Sequence, residues 1–376
     1  VSPGADSENF NGIVENFDVK GQLVPGAASI GEQTSCDQDG VLDAGETSRV
    51  EVQFSNPGPV DLTAVQITLS STNPSVTITA PTVMIGDLKA YAVSSALFYV
   101  QLAASVSAPA IADLKATITS ADGCGPVEVP MSVRVNTDDA EETSATDDFN
   151  AGASAWTPEG DEWTHARKTA LDGFWHGTDA GQPSDSTLTS PTLTAGPGAL
   201  SLTFTHRFSF EGTVEEAFDG GVIEISTDGG KKWLDVSTVA DPHYNVVITA
   251  GPSRLSELPA YGAESAGYPE VSMVTLDFGD KLAGMSFLLR FRVVSDPAAG
   301  APGWDIDDLV FTGLANTPFP TLIANVKSCD PGGGSGSGSD GKDDGGCQTS
   351  GRSAGGGTLA ALAVLGVVLV RRRRRR

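Results

Sequence analysis

The feature that most constrains this chain is a period of two. Arg49-Val-Glu-Val-Gln-Phe, Val65-Gln-Ile-Thr-Leu, Val76-Thr-Ile-Thr, Ala116-Thr-Ile-Thr and Val127-Glu-Val-Pro-Met-Ser-Val-Arg-Val alternate apolar with polar residues, and Asn-Pro, Pro-Gly and Asp-Gly separate them. Successive side chains of a strand point to opposite faces, so this pattern buries one face and leaves the other in water. Short antiparallel strands between tight turns give a β-sandwich of about seven strands and about 100 residues, of immunoglobulin-like type. With 44 Gly and 22 Pro and only 19% charged residues, a helical bundle is excluded.

The alternation returns further along. Leu200-Ser-Leu-Thr-Phe-Thr-His-Arg-Phe-Ser-Phe-Glu, Phe287-Leu-Leu-Arg-Phe-Arg-Val-Val and Trp304-Asp-Ile-Asp-Asp-Leu-Val-Phe read as strands. Gly221 to Val236 reads as a hairpin turning at Asp228-Gly-Gly. Strands with long connections over about 165 residues suit a two-sheet jelly roll. The expected organisation is all-β: an extended lead-in over 1–29, the immunoglobulin-like sandwich over 30–136, and an acidic linker over 137–147. The jelly-roll β-sandwich follows over 148–315, then a linker over 316–357 whose Gly/Ser run is disordered, then a tail over 358–376 with one short apolar helix.

Charge divides the chain. Its 23 Lys and Arg against 48 Asp and Glu leave a net charge of −25, but six of the basic residues are Arg371 to Arg376. Without them 17 basic residues face 48 acidic ones, a charge of −31. Such a body repels phosphate backbones, which excludes nucleic acid as the partner. Ahead of the arginines, Leu359 to Val370 carries no polar side chain; its twelve residues span about 18 Å as a helix, against a hydrocarbon core of roughly 30 Å. Started at Ala354, the helix reaches about 25 Å, enough for a thin bilayer with snorkelling arginines. The positive-inside rule then puts residues 1–350 outside the cytoplasm. The alternative is a buried core helix with a basic tail. The start at Val1, without Met or signal segment, is expected of a processed chain or of the C-terminal part of a longer protein.

Four cysteines allow three pairings. The simplest joins Cys36 and Cys124 across the first sandwich and leaves Cys329 and Cys347 to the tail; an oxidising compartment permits this. In Cys36-Asp-Gln-Asp-Gly-Val-Leu-Asp-Ala-Gly-Glu, the carboxylates of Asp37, Asp39, Asp43 and Glu46 lie within ten residues. Curled inward they suit Ca²⁺, a hard cation that takes oxygen ligands; left outward they form an Asx-type turn in solvent. In the second module Asp148, Glu211, Asp219, Asp305 and Asp307 stand at strand ends and are candidate ligands of a structural Ca²⁺, or simply solvated. Trp163 and Trp175 fall in a loop-rich stretch and are candidates for stacking on a ligand.

Two resemblances add to this. The Cys-containing Gly/Ser linker, short apolar helix and Arg cluster over 329–376 resemble the C-terminal sorting tail of myxobacterial surface proteins. That resemblance implies surface retention or release by sorting or processing machinery, with Cys347 as the processing or modification site. The Asp-x-Asp-Gly opening, Leu188-Thr-Ser-Pro, Asp219-Gly-Gly-Val-Ile-Glu-Ile-Ser-Thr-Asp-Gly-Gly-Lys-Lys-Trp and Gly303-Trp-Asp-Ile-Asp-Asp look like the immunoglobulin-like and MAM-like modules of secreted bacterial proteins. Among these the chain is most similar to the C-terminal accessory region of myxobacterial fungalysin-type metallopeptidases. In such jelly rolls a Ca²⁺ often ties first and last strands together, and the resemblance implies that Trp233 and Trp304 are core residues.

No known catalytic motif stands in either expected sandwich; His165 and His176 with Asp161 or Asp172 either form an ad hoc metal or base cluster or, as isolated loop histidines, are simply solvated. His165, His176, His206 and His243 are followed by Ala, Gly, Arg and Tyr, so none begins the His-Glu-x-x-His of a zinc peptidase. A Walker loop is also absent, and Gly-x-Ser-x-Gly and Gly-x-Gly-x-x-Gly occur only within the Gly/Ser-rich linker over 316–357, as Gly351-Arg-Ser-Ala-Gly and Gly336-Ser-Gly-Ser-Asp-Gly. Three readings compete: a non-catalytic accessory region of a secreted zinc metallopeptidase with a protein or glycan ligand, a stand-alone surface adhesin or glycan-binding protein, and a hydrolase with an unrecognised site.

Overall fold

A computed structural model describes residues 21–34, 39–152 and 154–325. Asp37, Cys36, Cys347, the apolar run and the arginines lie outside these residues. The first sandwich holds eight strands, β1 (Val24–Thr34), β2 (Thr47–Ser55), β3 (Leu62–Ser71), β4 (Val76–Thr79), β5 (Thr82–Leu88), β6 (Val93–Leu102), β7 (Ala110–Thr119) and β8 (Val127–Val135). They make two antiparallel four-stranded sheets, ordered β1-β2-β6-β4 and β5-β3-β7-β8. The alternation explains the layering: Val50, Val52 and Phe54 of β2 and Ala96, Phe98, Val100 and Leu102 of β6 face Val65, Ile67 and Leu69 of β3 and Ala112, Leu114 and Ile118 of β7 in one core. The immunoglobulin-like expectation agrees with this two-sheet arrangement.

The segment read as a linker is not one. Thr137–Ser144 is β9 and Thr146–Asp147 is β10. The next strands are β11 (Thr157–Glu159), β12 (Trp163–Thr169), β13 (Asp172–Gly177), β14 (Ser184–Thr189), β15 (Leu193–Thr194) and β16 (Leu200–Ser209). They continue with β17 (Gly220–Ser226), β18 (Leu234–Asp235), β19 (Val246–Val247), β20 (Pro259–Ala260), β21 (Ser272–Gly279), β22 (Ser286–Ser295), β23 (Gly303–Thr312) and β24 (Phe319–Ala324). β9 pairs with β24, so part of the second expected linker is also strand. β9 bonds its backbone along β24 and fully buries only Thr137, so its acidic sequence shows no apolar rhythm.

The second sandwich packs the sheet β12-β13-β23-β16-β21 against β11-β14-β22-β17-β18, with a core that includes Phe204, Ile223, Phe291, Trp304 and Ile306. The hairpin at Asp228-Gly-Gly is present: Ile225 opposes Leu234, Gly229 and Gly230 take positive φ, and Asp228 Oδ1 accepts from the Lys231 and Lys232 N–H groups. On β23 a register shift falls beside Asp307 and Asp308, the latter at φ 52°, so the inward residues change from Ile306 to Leu309. Among the described residues no helix is long and apolar enough to cross a membrane.

Gly221 allows the large ring of Trp304 to lie over β17, because a Cβ there would stand 2.5 Å from the indole. Gly221→Ala should therefore destabilise the chain by about 1–3 kcal/mol through overpacking. Urea denaturation of the variant checks this; an unchanged midpoint would show that the ring shifts freely.

Candidate metal centre

At one end of the second sandwich four acids converge from four strand ends. Asp179 follows β13, Glu211 follows β16, Asp219 immediately precedes β17 and Asp296 immediately follows β22. Glu211, Asp219 and Asp296 each offer a carboxylate oxygen within 4.8 Å of the others. Asp179 is the brace. Its Oδ2 accepts from the backbone N–H groups of Glu211 (2.9 Å) and Ala301 (3.1 Å), and its Oδ1 accepts from the Ser295 hydroxyl at 2.7 Å. Asp219 Oδ1 accepts from the Asp296 N–H at 2.5 Å, and Asp296 Oδ1 accepts from the Ala298 N–H at 2.7 Å.

The electrostatics of this knot are unbalanced. Asp219 is 0% exposed, and its Oδ2, like Glu211 Oε2, is buried and accepts no hydrogen bond. Among the described residues no lysine, arginine or histidine forms an ion pair with any of the four acids; the nearby Arg254 and Arg292 are bound to Asp185 instead. Burial first, and then the charge of Asp179, pushes the Asp219 carboxyl up to about 8. Burial likewise raises Asp179, and burial followed by the charges of Asp296 and Asp179 raises Glu211. An all-oxygen donor set with unbonded, buried lone pairs fits a hard cation of the Ca²⁺ kind, and does not suit soft thiolate-seeking metals.

Of the sequence-derived ligands, only Glu211 and Asp219 meet here. Asp148 is exposed and caps a turn, its Oδ1 accepting from the Asn150 N–H; the buried acid beside it is Asp147. Asp305 is bonded to His176 and Arg207, and Asp307 to Lys168 at 2.6 Å. Those two sit on the opposite sheet from Asp219, with basic partners that displace any need for a cation. Asp179 and Asp296 were missed. Asp296 carried the same signal as Asp219, an acid abutting an alternating strand, whereas Asp179 in Thr178-Asp-Ala-Gly carried none.

In the first sandwich, Asp39 is exposed with Oδ1 accepting from the Val41 N–H, while Asp43 and Glu46 are buried and Glu46 Oε2 accepts from the Asp43 N–H at 3.0 Å. The loop is thus a tight turn into β2, but Asp43 and Glu46 are not in solvent. Among the described residues its acids do not gather as a metal-competent group. Cys124 is exposed between β7 and β8. Trp163 and Trp175 are corrected: both are core residues, 5% and 4% exposed, because β12 and β13 turn alternate side chains inward. Trp233 is half-buried beneath the Arg290 guanidinium, 4.2 Å from its ring centre, and Trp304 is core as expected.

No known family model and no curated protein sequence matches this chain. Among solved structures, the secreted serine protease VesC from Vibrio cholerae is 14% identical over 78% of this chain and 51% of its own, with a TM-score of 0.25. The chain thus spans about half of that protease's length. Carbohydrate-binding modules of the β-sandwich superfamily with promiscuous specificity are 11% identical, over 78% of this chain and 98% of theirs, at TM-score 0.27. A cleaved adhesin domain of Lys-gingipain from Porphyromonas gingivalis is 15% identical, over 47% and 98%, at TM-score 0.24. The neighbours are thus β-sandwich parts of secreted, adhesive and carbohydrate-binding proteins; likeness this slight carries no functional argument.

Proposed function

We propose that this chain is a non-catalytic accessory region of a secreted or surface-attached bacterial protein, which binds a ligand outside the cell and holds a structural Ca²⁺ in its second sandwich. The observation that carries this is the four-acid knot around the fully buried, unbonded Asp219 Oδ2. Packed carboxylates without a basic partner repel one another until a cation or protons intervene. Carboxylate sites of extracellular modules commonly have dissociation constants of about 10⁻⁴–10⁻³ M, which fill where Ca²⁺ is millimolar. The knot gathers the ends of β13, β16, β17 and β22, so a cation there ties both sheets of the sandwich.

The histidines support a binding rather than a catalytic role. His165 Nε2 is bonded to the Phe149 carbonyl, His206 is enclosed by Phe204, Phe208, Tyr261 and Trp304, and His243 lies on the surface beside Asp241. Burial pulls His206 down to about 4, so it stays neutral and structural. On the finer points, the resemblance to fungalysin-type accessory regions supports a zinc metallopeptidase parent, and the tail supports sorting through Cys347 with surface machinery as partner.

Two measurements test this. Antibodies against the sandwiches should label intact cells of the source organism, and Cys347→Ser should release the label to the medium. Signal only after lysis would overturn the extracytoplasmic reading. Coding sequence for a His-Glu-x-x-His helix upstream of Val1 supports the peptidase parent; a signal peptide directly before Val1 overturns it in favour of a stand-alone adhesin.

A further inference from the structure

The outward face of the sheet β12-β13-β23-β16-β21 carries a second cluster, distant in role from the carboxylate knot. His176 on β13, Asp305 on β23 and Arg207 on β16 lie directly opposite one another in register. Asp305 Oδ1 accepts from His176 Nδ1 at 2.6 Å and its Oδ2 from Arg207 Nε at 2.7 Å. Arg207 Nη1 also donates to the Pro269 carbonyl at 3.2 Å. Burial raises the Asp305 carboxyl, but the His176 and Arg207 bonds outweigh it and hold it below the usual range. Both basic side chains are thereby fixed by one end, while among the described residues His176 Nε2 and Arg207 Nη2 make no hydrogen bond. They border a cleft of about 190 Å³ whose walls include Phe174, Tyr268 and Pro302.

We propose that this cleft is a binding site for a neutral saccharide, which names the ligand of the binding-module reading above and rests on it. A vicinal diol can accept from Arg207 Nη2 and donate to His176 Nε2, the two polar contacts that Asp305 leaves available. Phe174, whose ring has Lys168 Nζ over it at 5.7 Å, and Tyr268 supply aromatic wall against which the C–H side of a pyranose can pack. Charge selects the neutral sugar over an acidic one. Asp305 stands between Arg207 and His176 and offsets the Arg207 charge, and the surrounding body, at −31 without its terminal arginines, repels anions. Pro302 follows Ala301, whose N–H is held by Asp179, so one wall of the cleft is braced by the carboxylate knot.

The test is calorimetric titration of the whole chain, with Ca²⁺ present, against neutral glucan and mannan oligosaccharides and the corresponding oligouronates. Neutral oligosaccharides should bind, and Arg207→Gln and His176→Gln should each weaken binding about tenfold or more, since each removes a charged or fixed hydrogen-bond partner. Phe174→Leu should weaken it while leaving the melting temperature close to that of the parent chain. Saccharide binding unchanged in all three variants would place the ligand elsewhere, and preference for oligouronates, or no saccharide binding at all, would equally overturn the proposal. None of these outcomes touches the surface location or the cation, which have their own measurements.

Discussion

Adding 10 mM Ca²⁺ to EDTA-treated chain at pH 7 is expected to raise its melting temperature by about 5–10 °C. The magnitude follows from linkage. A ligand at 100 times its dissociation constant stabilises by about 2.7 kcal/mol, and a domain of this size gains roughly 2–4 °C per kcal/mol. The sign follows from the knot. Glu211, Asp219 and Asp296 present their oxygens to one another without a basic partner, so a cation removes repulsion that the folded chain carries and the unfolded chain does not. Asp219→Ala should abolish the Ca²⁺ response, because its buried Oδ2, like Glu211 Oε2, accepts no hydrogen bond and Asp219 is the fully buried acid of the knot. Asp148→Ala should leave the response intact, since that acid only caps a turn. A melting temperature unmoved by Ca²⁺ would sink the cation reading.

Trp304→Ala is expected to cost about 3–5 kcal/mol, among the largest single losses this fold can show. Trp304 is 0% exposed and its ring packs with those of Trp163, His206, Tyr261 and Phe291, so truncation opens a cavity that rigid strands on both sheets cannot collapse. It also removes the indole N–H that donates to His206 Nδ1 at 3.3 Å, leaving a buried acceptor unmet. Urea denaturation should register the loss, and Trp304→Phe should recover part of it. His206 adds a pH dependence of known sign. Its folded-state value is depressed to about 4, below the unfolded value near 6.5, so its contribution is present above about 6.5 and is lost as pH falls towards 4. Asp147, which burial raises to about 6, acts in the opposite sense: its contribution is full below about 4 and is lost as pH rises through about 6. Replacing His206 by Gln should therefore flatten the acid limb of the stability profile. A profile with the same acid limb would show that His206 is not its cause.

How much of this was legible depended on whether the signal was local. The strand at 200–209 announced itself because Leu200, Leu202, Phe204 and Phe208 recur on one face. The ribbon of β9 and β24 was hidden, because β9 fully buries only Thr137 and Thr137 to Ser144 reads as an acidic spacer. Trp163 and Trp175 read as surface candidates because their stretch reads as loop-rich; β13 shows why this misleads, since Asp172-Gly-Phe-Trp-His-Gly is a short strand whose outward Phe174 and His176 line a cleft while Trp175 goes inward.

Two things followed from the chain's own order of residues: the all-β class, through side-chain alternation that acts between nearest neighbours, and the separation of an acidic body from a basic tail, through composition alone. Which acids share a site did not follow. Asp179, Glu211, Asp219 and Asp296 are spread over 118 positions and meet only because antiparallel pairing brings the ends of four strands to the same edge of the sandwich. The same holds for His176, Asp305 and Arg207, which stand in one row because β23 lies between β13 and β16. Register across a sheet is set by long-range packing of two cores, and that is information no window of sequence contains.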